Sequence, residues 1–510
     1  MRAYDLEVTG SLKISGDITA RSYVIENTTT HMTTSFASGS TIFGDSNDDT
    51  HRFTGSLFIS ASRIDLVDHA TQGTFIGFNA GTGSGAGNNN VGIGYEALTS
   101  PNGAESIVAI GRGAGKNITK SSQSGVYSIL LGDNANYNNT AGSNVIAIGF
   151  GAGAHSSAGQ TNTILIGQQA GDAGAGPTNS TLIGHHAYGA ATGHAQYITG
   201  LGGYALHGSA ATTTGINGAV AIGYKSLYAI TSGAGNTAVG YESGVAITSG
   251  ARNTAIGYQS ALNNVTGTDG TFVGYQSGLN VLLNNNTGVG AYTFQKIGTT
   301  GGGGAGEGNT ALGTFAMSGG DDTVANNTAK NNVAVGYTAL GGATKSSDGS
   351  AFTADNNVAV GYQALTAITT GDNNVVLGYQ AGYAITDNAS NVAIGRGAFQ
   401  TADSGENNNT IIGDYAGRYI NNGNADHNVL IGNTAGLGGT GELKQCVVIG
   451  SLAMDASGTN AQTGTVAIGY QALTALTSGA ANTAIGYQAM LEHATGNNNT
   501  VIGYGAMSDS

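Results

Sequence analysis

The sequence is poor in the residues that most soluble chains use to fix a fold. It has no Trp, two Pro and a single Cys in 510 residues, and only 9% of it is charged. The lone Cys446 rules out an internal disulfide framework. The charges are unbalanced, 30 acidic against 16 basic for a net of −14, and no basic run gathers anywhere, which argues against nucleic acid as a partner. No apolar stretch approaches the roughly 20 residues that a membrane-spanning helix needs. The opening MRAYDLEVTGSLKISG has no apolar h-region, so a secretory signal is not expected.

Catalytic signatures are missing too. There is no HExxH, GxSxG, Walker loop or CxxC. The glycine run at 301–308 follows no strand–helix pattern and reads as a loop, not a phosphate cradle. No Asp/Glu pair recurs as glycoside hydrolysis would require. Asp321-Asp322 and the acidic DSNDD at 45–49 read as solvated turns, and the His185-His186 pair sits at columns that tolerate charge. The chain is expected to be no enzyme and to need no cofactor or metal.

What the chain has in abundance is glycine, 88 residues, beside 40% apolar residues that are mostly small or β-branched. Average glycine usage is only about 7%. Neither disorder nor a collagen period fits this mixture. The glycines instead mark a repeat. ANTAIGYQAM (481–490) is echoed by RNTAIGYQSA (252–261) and NNVAVGYQAL (356–365). Anchored on the Gly of "AIG", the unit recurs 24 times between Gly77 and Gly503, and 11 of the 23 spacings are 17 residues.

Each column has a physical meaning. The residue before the anchor is always Ile, Val or Leu (Ile256, Ile485), and the one three before is always Thr, Val or Ile. Between them stands a residue that is never polar (Ala255, Ala484, Leu165). This is a short strand that is apolar on both faces, and such a strand needs cover on both sides. The anchors (Gly257, Gly486) permit a tight corner or positive φ. The residue three after the anchor is always Ala, Ser or Thr (Ala489), which indicates close backbone passage. Asn stands four before the anchor in 13 of 24 units, suited to a left-handed turn residue and to stacked amides. The units therefore predict an all-β chain, a parallel β-solenoid of about 24 coils over residues 71–510. The Ile column is expected to line the coil. The middle column, with Ala484, Ala255 and Leu165, is expected to face other copies of the chain in a symmetric homotrimer. With strands about 4.8 Å apart, such a rod is about 115 Å long.

Insertions fall at one place in the unit, between the small residue and the next strand. The longest are 297–309, 318–332 and 341–357, the last with Lys345 and Asp348, and they are candidate recognition surface. Eleven units carry Tyr just after the anchor, among them Tyr241, Tyr258, Tyr275, Tyr362, Tyr379 and Tyr487. Other units place charge there, so the column is exposed, and its stacked rings are a candidate strip for glycan rings. Residues 1–70 have a different grammar, with VTGSLKISGDITA (8–20) echoed by FTGSLFISASRID (53–65), and read as a separate short β module for capping or attachment.

The NTAIGYQA coils over about residues 74–507 resemble the head repeats of YadA-like trimeric autotransporter adhesins. That resemblance implies a left-handed β-roll and a trimer. STIFGDSNDDTHRFTGSLFIS (40–60) is similar to phage virion fibre proteins, notably those of marine tailed phages. The terminal GYGAMSDS resembles chains trimmed by endosialidase-type tail-fibre chaperones, which implies cleavage after Ser510. The expectation is a structural virion fibre, a tail or capsid appendage assembled in the host cytoplasm. Its amino-terminal module binds other virion proteins, and its shaft touches a host-surface glycan or protein receptor without inserting into the membrane. The alternatives are a bacterial cell-surface trimeric adhesin and an ice- or polysaccharide-binding solenoid. The last needs a regular exposed Thr row, and the Thr column is expected to face inward with Ile.

Overall fold

The computed structural model describes residues 72–509 other than 83–86, 101, 119–125, 141, 156–158, 173–175, 191–192, 209–214, 282–283, 296–305, 320–327, 342–351 and 457. The chain divides into two units, Met1–Asp65 and Leu66–Ser510. The amino-terminal module expected at 1–70 lies outside the described residues, as do Lys345, Asp348 and much of the long insertions.

Each of the 24 repeats supplies one strand of three or four residues to a single parallel sheet, from Thr74–Ile76 to Thr500–Ile502. Among the described residues there is no helix. Pairing is in register with the repeat: Thr237, Ala238 and Val239 lie against Thr254, Ala255 and Ile256, and these against Thr271, Phe272 and Val273. Insertions leave the register intact, as Val333–Val335 still pairs with Val358–Val360. The protein is a parallel β-solenoid with one strand of this sheet per coil, and Leu443–Lys444 and Gln462–Thr463 pair as a second, two-stranded parallel sheet.

Two expectations about the coil are corrected. The faces of the strand are inverted. The middle residue is buried in 23 of 24 rungs, with Ala484 and Leu165 at 0% and Ala255 at 1% exposure, and it lines the inside. The Ile and Thr columns point outward, and Ile256 is 38% and Ile110 41% exposed. The reason is volume. A coil of about 17 residues encloses a narrow interior, and more than half of its rungs place Ala or Gly at the middle strand position, with larger residues such as Leu165, Phe272 and Ile411 at the others, whereas the outward column is Ile, Val or Leu throughout. The Thr column consequently stands on the outer face. The second correction concerns the left-handed turn residue. It is not the Asn four before the anchor but the residue one earlier, where φ is positive in every rung, as at Arg252, Asp269 and Asn356.

The anchor glycines are required twice over. Their φ lies between 126° and 145° in all 24 rungs. A Cβ on Gly257 would also stand 2.3 Å from the carbonyl oxygen of Gly274 on the next rung. Two further positions, two and four after the anchor, take positive φ throughout, many of them with ordinary side chains such as Gln259 and Leu365. Such residues cost about 1–2 kcal/mol each in that conformation. The cost is offset by backbone bonds to the neighbouring rungs, for example Gln259 N–H to the Tyr241 carbonyl at 2.9 Å.

Inside the coil, volume is shared between the middle strand residue and the residue four after the anchor. At several rungs a large first residue goes with Gly at the second, as in Phe272 with Gly278 and Leu430 with Gly436, whereas Leu182 with Tyr188 and Val448 with Met454 are large at both and fully buried. A Cβ on Gly278 would meet the Phe272 ring at 2.3 Å. Other rungs pair a small first residue with a large second, Gly288 with Phe294, Ala359 with Leu365, Ala393 with Phe399, and a few, such as Ala238 with Gly244, are small at both. The small residue three after the anchor is buried at nearly every rung, and where it is Ser it binds inward. Ser226, Ser243 and Ser260 donate to the carbonyls of Ala238, Ala255 and Phe272 at 2.9, 2.7 and 2.8 Å.

The Asn column forms an amide spine. Asn357 Oδ1 accepts from the backbone N–H and Nδ2 of Asn374, at 2.8 and 3.0 Å, while Asn357 Nδ2 donates to the Gly371 carbonyl at 2.9 Å. The spine runs unbroken from Asn286 to Asn428 and then meets Cys446, whose backbone N–H still donates to Asn428 Oδ1 at 3.0 Å. Burial pushes the Cys446 thiol up to about 11, so it stays protonated and inert.

Candidate functional site

Because the strand faces are inverted, the residues three before, one before and one after each anchor share one outer face. It carries three parallel columns: Thr or Val, then Ile or Val, then frequently Tyr. The Tyr column stands just past the bend at the anchor, where the turn begins, and its rings are exposed, as at Tyr241 and Tyr258. Tyr224, Tyr241, Tyr258 and Tyr275 stack with ring centroids 5.5, 5.2 and 5.2 Å apart and interplanar angles of 22°, 8° and 6°. Tyr337, Tyr362 and Tyr379 form a second stack, and Tyr470, Tyr487 and Tyr504 a third. Within a stack each ring face is covered by its neighbour, so the column presents ring edges and hydroxyls outward. At stack ends a further ring often meets the last one edge-on, as Tyr204 meets Tyr224, Tyr292 meets Tyr275 and Phe315 meets Tyr337, while Tyr379, Tyr470 and Tyr504 end their stacks without such a ring among the described residues.

The stacks end where another chemistry enters the column. Arg112 pairs with Asp133 one rung on at 2.7 Å, and Arg396 with Asp414 through two bonds of 2.8 Å. These rung-to-rung pairs are exposed and contribute little to stability on their own. Arg396 beside it holds the Asp414 carboxyl below its ordinary range.

Two clusters were not anticipated from sequence, because both are centred on columns other than the Tyr column. The first joins His186, Tyr204, His207 and Tyr228. His186 stacks on Tyr204 at 5.4 Å and His207 on Tyr228 at 4.9 Å, with Lys225 5.6 Å over Tyr228. Partial burial, then the neighbouring imidazoles, lower the His186 pKa, and burial lowers that of His207, so both are neutral at pH 7. No group of three or more His, Cys, Asp or Glu among the described residues is arranged to hold a metal ion.

The second cluster surrounds Tyr415. Its ring lies over Gly397, where a Cβ would stand 2.6 Å from it. The Arg396 guanidinium sits 4.7 Å from the ring centroid and the Arg418 guanidinium 4.3 Å, with Arg418 also 5.0 Å from Tyr419. Arg418 Nε donates to Gln400 Oε1 at 2.8 Å, and Gln400 in turn donates to Gln380 and Gln380 to Gln363, at 3.0 and 2.8 Å. The signal for these clusters was present in the second, fifth and sixth columns after the anchor, where His, Tyr and Arg replace the usual Gln or aliphatic residues.

A buried acid completes the inventory. Glu406, at 0% exposure, accepts from Asn388 Nδ2 at 2.7 Å, and its other oxygen has no partner among the described residues. Burial pushes its carboxyl up to about 7.

No protein-family model matches the chain, and no curated protein is similar to it. Among the described residues no helix is long and apolar enough to cross a membrane.

Proposed function

We propose that residues 71–510 are the shaft of a homotrimeric fibre, a virion appendage that attaches to a host surface and works by binding and bearing load, not by catalysis. One observation carries the reading. The outward column before the anchor is Ile, Val or Leu on all 24 rungs, without a single polar interruption. A solenoid that worked as a monomer would gain solubility by placing polar residues there, and burying each such side chain is worth roughly 1.5–3 kcal/mol. Sister chains are the occupants that match a column of such regularity, because each brings the same 24 rungs at the same rise. The Tyr column borders that face, so its hydroxyl edges would form the wet rim of the interface and the open ends of its stacks would remain for glycans. In this reading the amino-terminal segment joins other virion proteins, and the corner insertions contact a glycan or protein receptor.

Sedimentation equilibrium tests the assembly: a mass near three times 50.5 kDa is expected, and a monomer at micromolar concentration refutes it. Immunogold labelling on purified particles separates a virion appendage from a bacterial surface adhesin, which would label cells instead.

A second reading draws support from the outward Thr residues. Thr237, Thr254, Thr271, Thr287 and Thr310 form five successive rungs of an outer Thr row, the array an ice- or polysaccharide-binding solenoid needs. It stands if the protein is monomeric and gives thermal hysteresis, or binds a neutral polysaccharide through that row.

A further inference from the structure

Four arginines lie among the described residues, and three follow one rule. Arg112, Arg252 and Arg396 each pair with an Asp one rung further along, Asp133, Asp269 and Asp414. Arg418 breaks it. The residue in its own column on the next rung is Leu437, and among the described residues no carboxylate meets its guanidinium. This is unusual in a chain with 30 acidic residues and only 16 basic ones.

The guanidinium of Arg418 is nevertheless held in place. Tyr415 and Tyr419 flank it at 4.3 and 5.0 Å, and Nε is spent on Gln400 at the end of a directed chain of glutamine amides. The backbone is fixed as well, since the Arg418 carbonyl accepts from Thr401 N–H and Oγ1 at 3.1 and 2.9 Å. The two Nη groups are left without an acid, in the planar fork that matches a carboxylate. Tyr419 beside it is 45% exposed. Arg396, on the other side of Tyr415, is neutralised by Asp414 and does not compete for the ligand.

We propose that Arg418, walled by Tyr415 and Tyr419, binds the carboxylate of an acidic saccharide, with a C–H face of the sugar ring against Tyr419. The proposal rests on the attachment reading and adds to it a class of ligand and a place. Arg418 and Tyr419 stand in the turn that follows the strand Thr410–Ile412, five and six residues after the anchor and outside the three columns of the outer sheet face. A pre-oriented guanidinium loses little freedom on binding, and an aromatic wall supplies stacking that a free anion cannot use.

The test uses the full chain and calorimetry with a uronic-acid oligosaccharide, the same oligosaccharide with its carboxyls reduced, and acetate as a free anion. Millimolar or tighter binding of the acidic form, with none of the reduced form and no competition from equimolar acetate, is expected. Arg418→Gln should weaken it about tenfold or more, as loss of a charge-assisted bidentate contact does. Arg418→Lys should recover little, and Arg396→Gln should leave affinity within about twofold. Equal binding by wild type and Arg418→Gln, no binding by wild type, or equal competition by acetate would each overturn the proposal. So would loss of assembly in Arg418→Gln, because the fork would then serve a carboxylate of a sister chain. Cell or particle binding measured in parallel keeps the two readings apart: Arg418→Gln fibres that still attach fully show attachment through other surfaces and sink this site alone.

Discussion

The volume sharing inside each coil makes a demanding prediction at Phe272 and Gly278. Phe272 is fully buried, and its ring fills the space that the side chain of residue 278 would otherwise occupy. Phe272→Ala removes the ring and should cost about 3–5 kcal/mol, the range for large buried aromatics. Gly278→Leu alone should also destabilise, by about 3 kcal/mol or more, because its Cβ has the Phe272 ring at 2.3 Å and no room to escape. The two together convert the rung to the Ala-and-Leu arrangement found at Ala359 with Leu365 and Ala334 with Leu340. Leu is tolerated at that backbone, since Leu365 and Leu340 have φ of 50° and 48° against 67° at Gly278. The double variant should therefore lie within about 1.5 kcal/mol of wild type, a coupling of several kcal/mol. Hydrogen-exchange protection of amides 270–280 reads it locally, which suits a solenoid whose rungs depend mainly on their neighbours. Losses that simply add in the double variant would refute volume sharing as the packing rule.

Other perturbations separate the remaining contributions. Gly257→Ala sets a Cβ against a backbone carbonyl and should cost about 3 kcal/mol or more, whereas Gly464→Ala, also at positive φ but with nothing within 4 Å, should cost only about 1 kcal/mol; thermal melts compare them. Asn357→Leu leaves the Asn374 backbone N–H and one of its two Nδ2 hydrogens without an acceptor, the other still donating to the Asn388 carbonyl, and should cost about 2–4 kcal/mol, seen as lost protection on both flanking rungs. Glu406, with its pKa raised from 4.5 to about 7, favours the protonated folded state, so its contribution is complete below about pH 4.5 and is lost as pH rises through 7. Glu406→Gln should match wild type at pH 4 and exceed it by up to about 3 kcal/mol at pH 8 in local exchange, and equal stability at pH 8 would contradict this. Ile256→Asp should split the proposed trimer while leaving the circular dichroism of the coil intact, whereas Ala255→Asp, pointing inward, should unfold its rung.

The repeat, its register and its strand boundaries were legible from sequence because each depends on a column with one physical demand. Ile before the anchor, Gly at it and a small residue three after do not vary in kind, and the observed strands end where those columns place them. Which face looks inward was not legible from the strand alone. Ala255 and Ile256 are both apolar, and a strand apolar on both sides carries no sign. The sign was available six residues away, in the exchange of Phe272 and Gly278 for Ala359 and Leu365, since only residues sharing one interior need to compensate in volume. The αL position was misplaced for a similar reason: Asn is the residue most tolerant of that conformation, yet its amide is worth more as a buried link to Asn on the next rung than as a turn former. The aromatic and arginine clusters escaped because they form between columns that are unremarkable singly, and only stacking at one rung per step brings His186 to Tyr204 or Arg396 to Tyr415.

The inverted faces alter the physical argument for assembly more than they alter the fold. With Ile inward, a neighbouring chain would have met a smooth column of Ala, where close approach of backbones gives the adhesion. With Ile and Thr outward, it meets ridges of β-branched side chains at a repeat set by the sheet, and two such faces interlock only when their rungs are in step. An interface of that kind couples length to specificity. A register slip by one rung leaves most contacts intact but unpairs both ends, and the varied rungs, such as Arg396 and Asp414 among the Tyr stacks, no longer face their counterparts. Insertions that differ in length along one corner add the same discrimination. In the proposed trimer the irregular rungs thus have a use: they would mark position along an otherwise repetitive sheet face and penalise any register but the aligned one.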